Sequence, residues 1–247
     1  MSMANIIWVD EAGSTNSLLA DMARQGLASD GDAVAAFAQS AGRGQRGNSW
    51  ESEPGANLTF SILFSGRGYD VSRNFMVSEA VALAVAQIVD AELGGCGGKV
   101  CVKWPNDIYV GDRKVCGILI ENVLSGRTVE RCIAGIGLNI NQKSFLSDAP
   151  NPVSLFQIDG KVRDVRRILS SLVDRILHNM GVADMLHGEY MKRLWRSGDF
   201  YPYDDNVNGE RILARIADVL PEGHLVLELN SGERREYAFK EVSAVIF

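Results

Sequence analysis

Little in this chain suggests a metal, a disulfide framework or a membrane. Of its 247 residues only three are histidine and four are cysteine. Cys96, Cys101, Cys116 and Cys132 form no C-x-x-C pair and have no histidine at ligand spacing, which removes the zinc and thioredoxin readings. Cys101 and Cys116 fall in apolar runs, where a free thiol behaves as a small hydrophobe, so the four are expected to be reduced core thiols of a cytoplasmic protein. No apolar run approaches the ~20 residues that cross a bilayer, and Met1-Ser2-Met3-Ala4-Asn5 lacks the basic and apolar regions of a signal peptide. Basic charge is also short: 25 Lys and Arg against 31 Asp and Glu leave a formal net charge of −6. That balance argues against a nucleic-acid partner but permits a local basic pocket. What remains is ordinary globular composition, in a length that suits one large domain, or one large and one small.

Against that background one stretch stands out, Gly42-Arg43-Gly44-Gln45-Arg46-Gly47, followed by Asn48-Ser49-Trp50. Three glycines free the backbone N–H groups of a loop to close on a ligand, and two arginines add positive charge, a combination suited to phosphate. The spacing fits G-x-G-x-x-G, yet no apolar helical period follows it, and Pro54-Gly55 interrupts the next turn. A dinucleotide-binding unit needs a helix N-terminus at that place, so the dehydrogenase reading falls away. The positive charge would come from side chains instead.

The rest of the chain alternates strand and helix patterns. Ile6–Val9 reads as a strand, and Ser14-Thr15-Asn16 as the capped start of a helix that Gly26 stops. Ala33–Ala38 and Asn57–Phe64 read as strands that the glycine loop joins. Val71–Leu93 carries the strongest helical period. Val100, Val102 and Trp104 alternate up to Pro105 in a pattern resembling a central strand, with Lys103 among the apolar residues. Such a lysine is ordinarily at an edge or surface; if buried, it requires an anionic partner. Ile108–Val110, a Gly111-Asp112 turn and Val115–Ile120 form a hairpin, and a strand runs from Glu130 to Asn141. Asp164 caps another helix, and a further one is expected over Val182–Trp195. Gly198–Gly209 is a composition break, after which Arg211–Phe247 is a meander of short strands. The fold class is therefore α+β: a mixed or antiparallel sheet packed with helices in residues 1–198, and a small β-barrel in 199–247.

Four segments, in order, resemble the biotin–protein ligase family: Ser14-Thr15-Asn16; the glycine loop with Trp50 and Gly55-Ala56-Asn57-Leu58; Lys103-Trp104-Pro105-Asn106-Asp107; and Gly135-Ile136-Gly137-Leu138-Asn139-Ile140-Asn141. The resemblance runs from about Ile6 to Phe247 and implies an SH3-like fold for the C-terminal barrel. It implies ATP-dependent ligation of biotin, through biotinyl-5′-AMP, to a lysine of a biotin carboxyl carrier domain of an acyl-CoA carboxylase, with Mg2+ accompanying ATP and no metal held by the protein alone. It places biotin against Ser14, Thr15, Asn16, Gln39, Gly42, Arg43, Gly44, Lys103 and Gly117. It places the nucleotide phosphates against Arg43, Gly44, Gln45, Arg46, Gly47, Lys103 and Asn139, with Lys103 and Arg43 as catalytic residues and the loop closing as a lid. Asp107 is left between a cap and a lysine partner. Many members carry arginine where this chain has Gln45, which implies a weaker hold on the adenylate. Some members have a DNA-binding domain ahead of the first strand; the few residues here imply a ligase that does not repress. Neither nucleic acid nor membrane is an expected partner, and a free strand edge would accommodate a homodimer. A lipoate–protein ligase and a non-catalytic biotin-binding module remain the alternatives.

Overall fold

The computed structural model describes residues 4–45, 48–66, 68–146 and 151–245. In chain order its elements are β1 (Ile6–Ala12), α1 (Thr15–Arg24), β2 (Ala33–Gln39), β3 (Leu58–Ser65), α2 (Phe75–Leu93), β4 (Val100–Lys103), β5 (Asp107–Val110), β6 (Arg113–Ser125), β7 (Thr128–Leu138), α3 (Leu155–Asp159), α4 (Val165–Gly181), α5 (His187–Arg193), β8 (Tyr201–Asp205), β9 (Glu210–Val219), β10 (Leu225–Leu229), β11 (Arg234–Tyr237) and β12 (Val242–Ala244). The first seven strands form one mixed sheet in the order β1-β2-β3-β7-β6-β5-β4, and the last five form a second sheet, β11-β10-β9-β8-β12. Only β1 and β2 run parallel in the first sheet, and the second is antiparallel throughout.

The two faces of the large sheet have different cover. Leu58, Phe60, Ile62 and Phe64 alternate along β3 and join Ile118, Ile136 and the helix α2 in the main core. Helix α2 is apolar almost all round, from Val77 to Ala86, as expected of a helix buried between a sheet and another helix; α4 covers its far side. Each fully buried Leu or Val there stabilises the fold by about 1.5–3 kcal/mol. On the opposite face, Val34, Leu63 and Ile133 pack under Leu19 of α1. That helix is short, and the face beyond it is open. This uncovered half of the sheet is where the site lies.

Several expectations change in detail. Lys103 is on β4, which is an edge strand of the sheet and not a central one. Ser14 occupies the N-cap position of α1 but makes no side-chain cap hydrogen bond. The helix expected from Val71 begins as a 3-10 turn at Val71–Arg73, and the one expected over Val182–Trp195 is a 3-10 turn at Ala183–Met185 followed by the short α5. Of the four thiols, Cys101, Cys116 and Cys132 are buried and Cys96 is exposed. Within the expected break lies β8: Pro202 and two aspartates disguise it. Asp205 is 1% exposed and accepts from Val207 N and Asn208 N, both at 3.0 Å, and from the Tyr237 hydroxyl at 2.8 Å. A buried carboxylate tying the following turn reads as loop chemistry in sequence.

Candidate functional site

One cross-strand row sets the floor of the site. Lys103 of β4 faces Asp107 of β5, which faces Gly117 of β6; Gly117 faces Gly137 of β7, and Gly137 faces Thr59 of β3. The next row on the same face holds Leu119, Gly135 and Ser61, because side chains two apart share a face. Three of these positions are glycine, so the sheet is bare there. Trp50, from the loop between β2 and β3, lies in the bare strip: a Cβ on Gly117 would come within 2.9 Å of its indole, and one on Gly137 within 2.5 Å of its Nε1. A Cβ on Gly135 would collide with the Asn16 side chain.

The start of α1 forms one wall. Its Thr15 N–H donates to Gln39 Oε1 at 2.8 Å, so a distant side chain takes one of the free donors of the helix start. Ser61 Oγ, fully buried, is 2.8 Å from Thr15 Oγ1 and 2.5 Å from Asn16 Oδ1. Asn16 Nδ2 donates to Glu121 Oε2 at 2.7 Å, and Arg43 Nη2 lies 3.2 Å from both that oxygen and Ser17 Oγ. Hydroxyl, amide and guanidinium groups thus converge on one end of the cleft, where they can recognise a compact polar ring.

At the other end stands Lys103. Its Nζ donates to the Tyr109 hydroxyl at 3.1 Å and lies 5.1 Å from the Tyr109 ring centre and 5.7 Å from that of Trp195. Burial lowers the Lys103 pKa; Asp107 opposes this, while Lys114 and Arg196 add to it. Burial also raises the Tyr109 phenol far above its ordinary value, so the hydroxyl stays protonated and neutral. Among the described residues no carboxylate stands within ion-pair distance of Lys103. Asp107 does partner a lysine, but it is Lys114, at 2.7 Å. A half-buried ammonium with aromatic walls and no counter-ion is poised to accept an anion, which would restore the charge that desolvation disfavours.

The second sheet supplies part of the roof. Phe239, Lys240, Val242, Ser243 and Ala244 line the same cleft, whose volume is about 830 Å³. Trp104 Nε1 donates to Gly223 O at 3.0 Å, and its ring meets Phe239 edge-on at 6.2 Å, so the turn after Lys103 is fastened to that sheet. Among the described residues the buried atoms Trp50 Nε1, Asn139 Oδ1 and Gln45 Oε1 have no hydrogen-bond partner. Buried polar atoms are nearly always satisfied, and three orphans around one cleft mark places where a ligand can bond.

Of the residues expected from sequence, Ser14, Thr15, Asn16, Gln39, Arg43, Gly44, Gln45, Lys103, Gly117 and Asn139 all line this cleft. Gly42 does not line it; it lies in a shallow depression beside it with Arg43, Gly44 and Glu121. Arg46 and Gly47 lie outside the described residues. Lys114, Tyr109, Trp195, Ser61 and Glu121 were not legible as site residues, since each sits in an ordinary strand or helix-end pattern. The alternation Gly135-x-Gly137 is the one signal that could have shown the bare strip, because glycine inside a strand marks a close approach. Among the described residues no three of His, Cys, Asp and Glu gather as metal ligands.

Residues 9–139 match the model of the biotin/lipoate A/B protein ligase family. The chain is 36% identical over 156 residues to the bifunctional ligase/repressor BirA of Salmonella typhimurium, covering 61% of this chain and 45% of that protein. It therefore spans less than half the length of that relative. It is 28% identical over 225 residues to the biotin--[acetyl-CoA-carboxylase] ligase of Mycobacterium tuberculosis, covering 90% of this chain and 82% of that one. Its fold is similar to that of the biotin protein ligase from Aquifex aeolicus in complex with biotin and ATP, with a TM-score of 0.77, 25% identity and 97% of each chain covered.

Proposed function

Because this chain belongs to the biotin/lipoate A/B protein ligase family, we infer that it activates biotin with ATP and transfers the biotinyl group to a lysine of a carrier domain. In the first step a biotin carboxylate oxygen attacks the α-phosphorus of ATP; the bond to the β-phosphate oxygen breaks, and pyrophosphate leaves. The product is biotinyl-5′-AMP. In the second step the neutral amine of the acceptor lysine attacks the acyl carbon, AMP leaves with the carbon–oxygen bond pair, and the amine loses a proton. The observation that carries this reading is Lys103, a half-buried cation without a carboxylate partner at one end of the cleft. Both the reacting carboxylate and the α-phosphate are anions of the kind it lacks, and a cation fixed in advance costs no reorganisation as charge develops.

The other roles are assigned from the chemistry of the residues and their resemblance to the family. Ser14, Thr15, Asn16 and Gln39 give the ureido ring its donors and acceptors, with Gly117 in the floor of the same cleft, where the missing side chain lets Trp50 pack. Arg43, Gly44 and Gln45 cover the phosphates, and the resemblance assigns Arg46 and Gly47 to the same role. Arg43 rests on Glu121, so engaging a phosphate exchanges a carboxylate partner for a phosphate one. Asn139 Oδ1 and Trp50 Nε1, both unsatisfied, face the nucleotide. Mg2+ fits this set only as a companion of the ATP phosphates, because among the described residues no three potential ligands gather to hold it. The acceptor is a biotin carboxyl carrier domain of an acyl-CoA carboxylase, a reading supported by the names of the related ligases.

The direct test incubates the protein with ATP, Mg2+, a biotin carrier domain and either biotin or lipoate, and then reads the carrier's mass. Biotin should add one biotinyl group and lipoate none. Lipoyl addition would move the protein to the other branch of the family, and an unmodified carrier with bound biotin would make it a binding module.

A further inference from the structure

Lys114 belongs to none of the motifs that drew attention in the sequence, and the backbone goes out of its way to aim it. Between β5 and β6 the register slips: Ile108 faces Cys116, while Tyr109 faces Lys114, which leaves Val115 as an extra residue on β6. In a regular strand Lys114 and Gly117, three apart, would point to opposite faces. The bulge returns them to the same face, as bulges do when they re-aim a side chain. A Cβ on Gly117 would be 3.5 Å from both Cε and Nζ of Lys114, while Val115 is fully buried.

The lysine is held there at both ends. Its backbone N–H donates to Asn151 O at 2.9 Å, and its carbonyl accepts from Val153 N at 2.8 Å. Its ammonium pairs with Asp107 at 2.7 Å and lies 5.8 Å from the centre of the Trp50 indole. The side chain is only 27% exposed, unlike a solvated surface lysine. Asp107 stands beside Lys103 in the cross-strand row but pairs with Lys114, and the nearby Lys114 charge adds to the burial that lowers the Lys103 pKa. This corner of the cleft carries surplus positive charge although the whole chain has a net charge of −6.

We propose that Lys114 is a second phosphate-binding cation of this cleft, bracketing a nucleotide phosphate together with Lys103, with Asp107 holding its ammonium in place until the phosphate arrives. The proposal rests on reading the cleft as a nucleotide site, and its test separates the two. Binding of AMP and of adenosine, which differ by the phosphate alone, is measured by calorimetry for the native protein, Lys114→Gln and Lys114→Arg. The native protein should prefer AMP. Lys114→Gln should lower that preference about tenfold, as expected for loss of one charge-assisted contact, by weakening AMP and leaving adenosine within about twofold. Lys114→Arg, which keeps the charge, should retain the preference within about threefold. If Lys114→Gln weakens AMP and adenosine equally, or neither, the lysine is structural and the proposal fails. If both variants unfold, the preference of Asp107→Asn decides: losing the carboxylate that competes with the phosphate for the ammonium should raise it, and an unchanged or lower preference overturns the proposal. If the native protein binds AMP no better than adenosine, the nucleotide reading of the cleft itself is wrong.

Discussion

A methyl group on Gly137 should separate folding from ligand binding. Gly137 is not among the glycines with positive φ, so alanine suits its backbone and gains about 0.4–1 kcal/mol by restricting the unfolded chain. Against that, the new Cβ would stand 2.5 Å from Trp50 Nε1, where ordinary contact begins at 3.4 Å, so one partner must yield by about 1 Å. The sheet cannot yield, because Gly137 is paired on both sides, to Gly117 and to Thr59. Trp50 can: it is only partly buried, its Nε1 has no partner, and its loop is tied nearby by the Trp50 N–H to Gly42 O at 3.0 Å. The ring should swing outward, losing part of its packing and leaving net stability within about 1 kcal/mol of native, below the 1–3 kcal/mol of a true overpacked core. Ligand binding has no such escape, since Trp50 is itself a wall of the cleft and its swing moves that wall. Biotin or ATP affinity in Gly137→Ala should fall about 10–100-fold, or about 1.4–2.7 kcal/mol. Urea unfolding and calorimetry read the two quantities. A loss of more than about 3 kcal/mol in stability would show that Trp50 is rigid, and unchanged affinity for both ligands would place them elsewhere.

Other outcomes follow from single groups. His187 bridges Glu79 at 2.8 Å and Asp218 at 3.0 Å through its two ring nitrogens, and donating at both requires the imidazolium. Burial opposes that charge, but the hydrogen bonds and charges of Glu79 and Asp218 prevail and raise its pKa. A raised pKa gives stability that is complete below about pH 6.5 and is lost as pH rises through the folded value. His187→Gln should therefore cost about 0.5–1 kcal/mol at pH 6, for a half-exposed pair, and less at pH 9; equal costs at both would contradict the bridge. Gln45→Arg, adding charge to the loop, should slow release of the adenylate, and an unchanged rate would reject a role for Gln45 in holding it. Burial pushes the Cys101 thiol up to about 11 and Cys132 to about 12, and Cys116 higher still. Native protein at pH 8 should therefore lose a single thiol to a maleimide, Cys96, and faster labelling of a second would mean that the core opens.

The sequence was legible where one residue type has one structural meaning. Asp164 accepts from Arg166 N and Arg167 N at the start of α4, and Gly94 closes α2 at φ 57°, as their positions suggested. The alternation along β3 and the all-round apolar α2 likewise place the core. Illegible were features created by pairing between distant segments. The position of β4 at an edge depends on the order of seven strands, and the bulge at Val115 exists only against β5. Helix α1 starts without its expected cap, and Gln39, 24 residues away, takes the Thr15 N–H. The same limit applied to the site: the polar residues at helix starts and in loops were readable, whereas Tyr109, Lys114 and Trp195 became site residues only when three strands and a helix end met.

The most direct test of Lys103 as the cation of acyl-adenylate formation is exchange of labelled pyrophosphate into ATP, with no carrier present. Exchange should require biotin. In Lys103→Met it should drop at least about 100-fold, the loss typical of removing one preorganised charge-stabilising group, while the melting temperature stays near that of the native protein because a desolvated ammonium is replaced by an apolar side chain. Biotin-dependent exchange at the native rate in a folded Lys103→Met protein would contradict the assignment.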